Sequence, residues 1–283
     1  MRISISSESC IKCGKCVKVC PIYVFTQQSK AVPQVSYPER CIGCGHCVSV
    51  CPTSSVAHEL FPVQKVHSID YEKRPSAEAL MLLLKSRRSN RVLKKEPVPQ
   101  ELIDKIIEAA SVAPTASNSQ LVNYTVVTNK ESLNRITEFT LKTLESKLKY
   151  ANNKMAKIIL KKYAPKILYY IPMIKSMRQE FEKGNDLILR NAPALLIIHS
   201  PKSSRYAEED CNLAYQNGSI MAEALGVSQI YCGFVLNAVK SNPKEFAKLI
   251  SSNDRVCAVM ALGMPAFRYP NYVDRKEADV HSI

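Results

Sequence analysis

Beyond residue 75 the chain alternates between helix-like and strand-like patterns of apolar residues. PQELIDKIIEAASVA begins at Pro99, and its apolar side chains fall on one helical face, at positions 102, 103, 106, 107 and 110. AEALMLLLKSRR follows Ser76, a residue type typical of a helix N-cap, with Glu78 in the first turn. The longer stretch EEDCNLAYQNGSIMAEALG, residues 208–226, predicts a further helix.

Strand-like segments separate these helices. VNYTVVT (122–128) alternates between apolar and polar residues, whereas ALLIIH (194–199) and VCAVMAL (256–262) are continuously apolar, as buried strands are. SQIYCGF (228–234) is another strand candidate. The order of elements predicts an α+β domain over residues 76–283, with helices covering a central mixed sheet. The domain lacks the glycine-rich motifs of the Rossmann fold and the P-loop, so a nucleotide-type cofactor must be held differently.

The first sixty residues contain a repeat. CIKCGKCVKVCP (10–21) and CIGCGHCVSVCP (41–52) are identical at nine of twelve positions, at an offset of 31 residues. Each half has the spacing C-x2-C-x2-C-x3-C-P, which is an iron–sulfur ligand pattern. Three thiolates at this spacing surround one corner of a cubane, and the fourth lies on a following turn. We therefore predict a domain with two 4Fe–4S clusters over residues 1–60, followed by a linker over residues 61–75.

The repeat resembles the two-cluster bacterial-type ferredoxins, in which the fourth cysteine of each motif binds the other cluster. The resemblance implies one ligand set of Cys10, Cys13, Cys16 and Cys51, and a second of Cys41, Cys44, Cys47 and Cys20. It also implies a short hairpin in residues 31–40. Structural zinc is the alternative, but zinc needs four ligands and has no use for the triple C-x2-C-x2-C. Such a module moves single electrons and does no substrate chemistry.

Composition narrows the class of protein. Hydrophobic residues make up 46% of the chain and charged residues 23%, which excludes disordered and fibrous proteins. Eight of the 11 cysteines lie between residues 10 and 51, unlike a secreted disulfide scaffold. The N-terminus MRISISSESC has no apolar core, and no apolar run reaches the roughly 18 residues of a membrane span. We expect a cytoplasmic protein without signal peptide or transmembrane segment.

Three segments of the larger domain suggest a bound phosphate. RRSNR (87–91) places three guanidinium groups after a predicted helix, and arginine pairs bidentately with phosphate. A solvated basic helix end is the alternative. APTASNSQ (113–120) is a polar loop between a helix and a strand, and ALGMPAFRYPNYVDR carries two further arginines after a strand. Together these segments resemble the flavin-dependent nitroreductase family, over residues 76–283 except for an unusual middle stretch.

The resemblance implies an FMN site at matching positions. The phosphate and the pyrimidine side of the ring would contact Arg87, Arg88, Ser89 and Arg91, and Arg268 and Arg275 would close on the phosphate. The ring and ribityl chain would contact Pro114, Thr115 and Asn118. Backbone N–H groups of Cys232 and Gly233 would face flavin N5 and O4. The chain departs from the family where Leu121 and Val122 replace Pro-Trp, and where Cys232 replaces a residue that is often acidic. We interpret Cys232 as a small buried residue, with a reactive thiol as the alternative. Relatives are usually homodimers with FMN at the subunit interface, so we expect a homodimer.

Positive charge is concentrated in one segment. The formal net charge is +14, and residues 142–183 contain 11 Lys or Arg against three Glu. This composition fits three structures: a helical lid over the flavin, a docking face for an acidic electron-transfer partner, or a membrane-surface helix. No recognised motif supports nucleic-acid binding, and we predict none.

The combined resemblances predict an iron–sulfur flavoprotein oxidoreductase of an anaerobic or microaerobic cell. Electrons from a ferredoxin-like or other low-potential donor, or from NAD(P)H, would pass through two 4Fe–4S clusters to FMN. The acceptor would be a small organic molecule such as a nitroaromatic, and no side chain is predicted to be catalytic because the chemistry occurs at the flavin. A quinone, enone or flavin reductase on the same fold is an alternative, as is a non-catalytic electron carrier or redox sensor.

Overall fold

A computed structural model describes residues 1–151 and 165–283 of the chain. These residues form two compact units. The first unit comprises Met1–Pro75 together with Ala116–Ser119, and the second comprises Ser76–Thr115 together with Gln120–Ile283.

The internal repeat of the first unit is also a structural repeat. The elements of the first half are β1 (Ile3–Ile5), α1 (Lys15–Val19) and β2 (Phe25–Thr26), and those of the second half are β3 (Gln34–Val35), α2 (His46–Ser49) and β4 (Val56–His58). Each element of the second half begins 31 residues after its counterpart. Gly14 and Gly45 precede the two helices with φ of 69° and 75°, a left-handed conformation that glycine adopts without strain.

The two halves exchange strands. β1 pairs antiparallel with β4, and β2 pairs antiparallel with β3. The hairpin predicted within residues 31–40 is therefore wrong in detail, because β3 lies there but its partner β2 comes earlier in the chain. Apolar residues from both halves, including Val24, Phe25, Val48 and Val56, form one small core beside Cys16 and Cys47.

The second unit contains seven helices and four strands among its described residues. The helices are α3 (Ala77–Ser86), α4 (Gln100–Ser111), α5 (Lys130–Ala151), α6 (Pro165–Glu182), α7 (Ala207–Ala224), α8 (Gly233–Ser241) and α9 (Pro243–Ile250). The strands are β5 (Asn123–Val127), β6 (Ala194–Ser200), β7 (Ser228–Tyr231) and β8 (Arg255–Gly263). This architecture confirms the predicted α+β class.

A four-stranded sheet separates two apolar cores. Its strand order is β5-β6-β8-β7, and each of the three pairings is antiparallel. The expectation of a mixed sheet is therefore not met among the described strands. All residues of β6 are buried, as are all of β8 except Arg255, because helices cover both faces. Leu195 and Ile197 pack against one core, and Leu196 and Ile198 pack against the other, as the alternation of side chains in a strand requires.

The predicted helices and strands are largely confirmed. The Ser76 hydroxyl caps α3 by accepting a hydrogen bond from the N–H of Ala79 at 3.1 Å. The prediction for SQIYCGF is wrong beyond Tyr231. The N–H of Cys232 makes a last bond of 2.9 Å to the carbonyl of Val259, and α8 begins at Gly233.

Part of the basic segment 142–183 lies in residues 152–164, which are outside the described residues. Within the described part, the Arg178 side chain of α6 is largely buried and pairs with Glu138 and Glu145 of α5. Its Nε and Nη2 donate to the two carboxylate oxygens of Glu145 at 2.8 and 3.0 Å. One cation of this segment therefore holds two helices together. No helix in the described ranges is both long and apolar enough to cross a membrane.

Candidate functional site

The eight cysteines of the repeat line two separate cavities. One small cavity is lined by Cys10, Cys13, Cys16 and Cys51. The other is lined by Cys20, Cys41, Cys44 and Cys47. These are the two ligand sets that the ferredoxin resemblance implies, because the exchange of strands carries Cys20 and Cys51 to the opposite cavity. All 11 cysteines are unbridged. Over residues 1–151 and 165–283, no three His, Cys, Asp or Glu side chains are grouped to hold a single metal ion.

Backbone N–H groups approach the sulfurs in the same way in both halves. The N–H groups of Lys12 and Gly43 lie 3.4 Å from the Sγ atoms of Cys10 and Cys41. The fourth cysteine of each motif accepts from the residue four positions later, at 3.3 Å in the first half and 3.2 Å in the second. Hydrogen bonds of this kind stabilise thiolates and tune cluster potentials. The donor set therefore fits two 4Fe–4S clusters.

His58 adds a contact that sequence reasoning missed. Its Nε2 lies 3.4 Å from Cys41 Sγ, and its Nδ1 accepts the N–H of Leu60 at 3.2 Å. Because Nδ1 is an acceptor, Nε2 carries the hydrogen and points it at the sulfur. The corresponding residue in the first half is Gln27, whose amide donates to the carbonyls of Lys12 and Ala31 instead. Alignment of the two halves beyond the cysteine motif is the signal that reveals this difference.

A basic cleft of about 280 Å³ lies in the second unit. It is lined by the segment after α3, the end of α7 and the segment after β8. Arg88, Glu223 and Arg268 are the charged residues of its lining. Two of the arginines predicted to contact FMN are thus brought to one cavity, although 180 residues separate them in the sequence.

Hydrogen bonds join the segment after α3 to the segment after β8. Lys94 donates its N–H to the carbonyl of Met264 at 2.8 Å, and Ala266 donates to Val92 at 3.1 Å. The buried Asn90 side chain donates to the carbonyl of Phe267 at 2.9 Å and accepts the N–H of Val92 at 3.1 Å. Asn90 is therefore a positioning residue for the arginine motif, which sequence reasoning did not single out.

The electrostatics of the cleft suit a bound anion. Arg88 Nη1 donates to the carbonyls of Lys85 and Arg87 at 3.1 and 3.3 Å, whereas its Nη2 is buried and has no hydrogen-bond partner among residues 1–151 and 165–283. A buried guanidinium nitrogen without an acceptor is costly unless a ligand supplies one. Burial raises the pKa of the Glu223 carboxyl, and the nearby charges of Arg87, Arg88 and Arg268 oppose this effect. These residues therefore fit the phosphate of a flavin mononucleotide.

The other predicted phosphate ligands lie at different places. Arg87 and Ser89 are half-buried beside Arg88, whereas Arg91 is exposed and donates to the carbonyl of Ser89 at 3.3 Å. Arg275 lies in the exposed tail after β8 and does not line the cleft. The structure thus brings Arg88 and Arg268 to one cavity but not Arg275.

The predicted ring-binding loop is divided between the units. Pro114 is exposed after α4, and the Thr115 hydroxyl accepts the N–H of Gln120 at 3.0 Å. Asn118 belongs to the first unit, where its side-chain amide donates to the carbonyl of Gly43 at 2.8 Å.

The expected role of Cys232 needs correction. Its N–H is bonded to the carbonyl of Val259, so it is not available to a flavin in this conformation. Gly233, at the first turn of α8, remains as the candidate backbone donor. Burial raises the pKa of the Cys232 thiol to about 12, which argues against a reactive thiolate and favours a packing role.

Comparisons with known proteins agree with both units. Residues 84–264 match the nitroreductase family, and residues 2–60 match the 4Fe-4S dicluster domain. A putative NADH dehydrogenase/NAD(P)H nitroreductase of Archaeoglobus fulgidus is 25% identical over 193 residues, which span 66% of this chain and 86% of the relative. An FMN reductase [NAD(P)H] of Bacillus subtilis is 27% identical over 187 residues, 65% of each protein.

Solved structures share the fold of the second unit. A nitroreductase with bound FMN from Bacteroides fragilis superimposes with a TM-score of 0.52 at 20% identity, over 72% of this chain and 98% of that one. A second, from Desulfitobacterium hafniense, gives 0.52 at 24% identity, over 71% and 98%. The family match spans well over half of the 283 residues. The chain belongs to the nitroreductase family and carries a 4Fe-4S dicluster domain at its N-terminal end.

Proposed function

We propose that this protein is an FMN-dependent oxidoreductase that takes single electrons through two 4Fe–4S clusters and reduces a small organic acceptor such as a nitroaromatic. The observation that carries the proposal is the occurrence, in one chain, of two four-cysteine cavities and a nitroreductase fold with a basic cleft. Structural relatives with bound FMN support the choice of flavin.

The residues of the chain supply binding and orientation. Arg88 and Arg268 would hold the FMN phosphate, and Asn90 keeps the two segments that carry them together. The N–H of Gly233 is the donor to the flavin ring. When bound, FMN supplies the exchange of one or two electrons, and the clusters supply single-electron steps. No side chain is assigned as a proton donor.

The fused dicluster domain favours a low-potential single-electron donor over NAD(P)H, which delivers two electrons as a hydride. The test is anaerobic steady-state reduction of a nitroaromatic, a quinone and an enone, with either reduced ferredoxin or NADH as donor. We expect saturable reduction of at least one acceptor with ferredoxin. An electron carrier or sensor would show no saturable reduction of any of them.

Metal and flavin content provide a separate test. Anaerobically purified protein is expected to contain about eight iron, about eight sulfide and about one FMN per chain, since each of the two motifs holds one cubane. Protein that lacks flavin after reconstitution would contradict the proposal that the second unit binds FMN.

The surface of α3 supports a homodimer. None of its residues is buried, and four of its large apolar side chains are each at least 40% exposed: Leu80, Met81, Leu82 and Leu84. A helix with this much exposed apolar surface normally packs against a partner. A second copy of the chain is the partner that we propose.

Replacing Leu82 with Lys is expected to convert the dimer to a monomer, because a charge on the apolar surface of α3 opposes its burial. Light scattering coupled to gel filtration measures this directly. Wild-type protein should give about twice the 31.7 kDa chain mass, and Leu82→Lys about once. Val63→Lys, at an exposed apolar position of the first unit, is the control and should remain dimeric. A wild-type monomer, or a dimeric Leu82→Lys protein, would refute the interface.

Replacing His58 with Phe is expected to lower the midpoint potential of the cluster bound by Cys41. The imidazole N–H stabilises the more negative, reduced cluster, and loss of one hydrogen bond of about 0.5–1.5 kcal/mol corresponds to about 20–60 mV for one electron. Phe preserves the ring contact with Phe61, which is 5.0 Å away between centroids. EPR-monitored redox titration should show one shifted cluster and one unchanged cluster. Equal potentials in variant and wild type would disprove a tuning role for His58.

A further inference from the structure

The two halves of the repeat differ in charge at their cysteine loops. Only three of the twelve motif positions differ, and all three are lysine in the first half: Lys12, Lys15 and Lys18. The second half has Gly43, His46 and Ser49 at these positions. All three lysines are exposed, and within the described parts of the chain no carboxylate lies within 4.0 Å of their ammonium groups. The loop of the first cluster therefore carries three unpaired positive charges that the second loop lacks.

The two loops also differ in exposure. Cys13 is exposed, whereas its counterpart Cys44 is partly buried. Ile11 is 61% exposed, whereas Ile42 is partly buried. Because the sequences are otherwise nearly identical, this difference comes from the segments that cover the second loop. The first loop is uncovered in this chain and presents a cluster ligand directly to solvent.

Two contacts account for the covering of the second loop. The Leu60 side chain packs so closely against Gly43 that a Cβ there would lie 2.9 Å from its Cδ1. The amide of Asn118 donates to the Gly43 carbonyl at 2.8 Å. Lys12 occupies the position in the first loop that corresponds to Gly43, and it is exposed to solvent. The loop that carries Cys44 is thus more covered than the loop that carries Cys13.

We propose that residues 11–18 form the docking surface for an acidic single-electron carrier protein that reduces the first cluster, bound by Cys10, Cys13, Cys16 and Cys51. This inference rests on the proposed function, since it requires that the cysteines hold clusters. The carrier is oxidised by one electron and the first cluster is reduced by one electron, with no bond made or broken. Cys20, Cys41, Cys44 and Cys47 would hold the second cluster, which would supply the next single-electron step.

The chemistry of the surface identifies the partner. Complementary charge accelerates encounter and orients an acidic protein on a lysine-rich face. The same segment exposes Ile11, and an apolar residue among charged ones is common in protein interfaces. Lys15 and Lys18 are three residues apart on α1 and therefore lie on the same side of it. The exposed Cys13 gives the carrier a short path to the cluster.

The test is stopped-flow reduction of the full-length holoprotein by a reduced acidic bacterial ferredoxin at low ionic strength. In the triple variant Lys12→Gln, Lys15→Gln, Lys18→Gln we expect the second-order rate constant to fall at least tenfold. The wild-type rate should decrease steeply with added salt, and the variant rate should depend on salt only weakly. A variant with Gln at Lys202, Lys244 and Lys248, three exposed lysines of the second unit, loses the same charge and should keep the wild-type rate.

A second reductant separates docking from cluster damage. Reduced methyl viologen is a small cation that needs no docking surface, so it should reduce all three proteins at similar rates. An unchanged rate with ferredoxin in the triple variant would overturn the proposal. An equal loss of rate in the control variant would also overturn it. If the triple variant lost binding to anionic phospholipid vesicles but kept its rate of reduction by ferredoxin, the lysines would serve a membrane surface, and the proposal would be wrong. If viologen-reduced clusters fail to reduce the flavin in wild-type protein, the proposed function itself is wrong, whatever the docking result.

Discussion

Replacing Arg268 with Gln is expected to weaken FMN binding by about 10- to 100-fold. A hydrogen bond from a charged donor contributes about 1.5–3 kcal/mol, and each 1.4 kcal/mol is tenfold in affinity. Arg268 and Arg88 line the same cleft, and the buried Nη2 of Arg88, which has no partner within the described part of the chain, needs an acceptor. The double variant with Gln at both positions should therefore be isolated without flavin.

Fluorescence titration of the flavin-free protein with FMN measures this effect. Arg205→Gln is the matched control, because Arg205 is an exposed arginine that stacks on Tyr206 and does not line the cleft. Arg275→Gln tests the family resemblance separately, since the structure leaves Arg275 in an exposed tail. A change of less than twofold for Arg268→Gln, with unchanged thermal stability, would show that the phosphate binds elsewhere.

Paired cysteine substitutions are expected to reveal the exchange of ligands between the two clusters. Cys51→Ser together with Cys13→Ser removes two ligands of one cavity, so about four iron per chain should remain. Cys51→Ser together with Cys44→Ser removes one ligand from each cavity, so both clusters should be lost. If each motif instead bound its own cluster, the two results would be reversed.

Iron and sulfide analysis, with EPR of the reduced protein, distinguishes these outcomes. Cys211→Ser is the control, because Cys211 is buried in the second unit among apolar residues and should leave the iron content at about eight. FMN content should be unchanged in all of these variants. Retention of four iron in the Cys51 and Cys44 double variant would contradict the exchange of strands as well as the ligand sets.

The repeat motif was predictable because ligand chemistry fixes its spacing. The resemblance of the two motifs to two-cluster ferredoxins implied the two sets of four cysteines that line the cavities. The asymmetry between the halves was not predictable from the motifs, since it arises from Leu60 and Asn118, which lie outside them. The His58 contact with Cys41 likewise depends on β4, whose register is set by its pairing with β1.

In the second unit, local patterns predicted the elements but not their partners. The apolar runs of β6 and β8 indicate buried strands, yet nothing in them specifies that every neighbour is antiparallel. Cys232 lies where an apolar run continues, so a strand was expected. The strand ends at Tyr231, and the N–H of Cys232 makes one last cross-strand bond to the carbonyl of Val259 rather than facing a flavin. That bond depends on the register of β7 against β8. The positioning role of Asn90 was likewise not predicted, because its hydrogen-bond partner Phe267 lies 177 residues away in the sequence.

The most direct test of the central claim is anaerobic stopped-flow absorbance with reduced ferredoxin as the electron donor. We predict that the clusters are reduced first and that flavin reduction follows. We also predict that flavin reduction is lost in a variant with all eight cluster cysteines replaced and with verified fold and FMN content. Flavin reduction at the wild-type rate in that cluster-free variant would contradict electron transfer through the clusters.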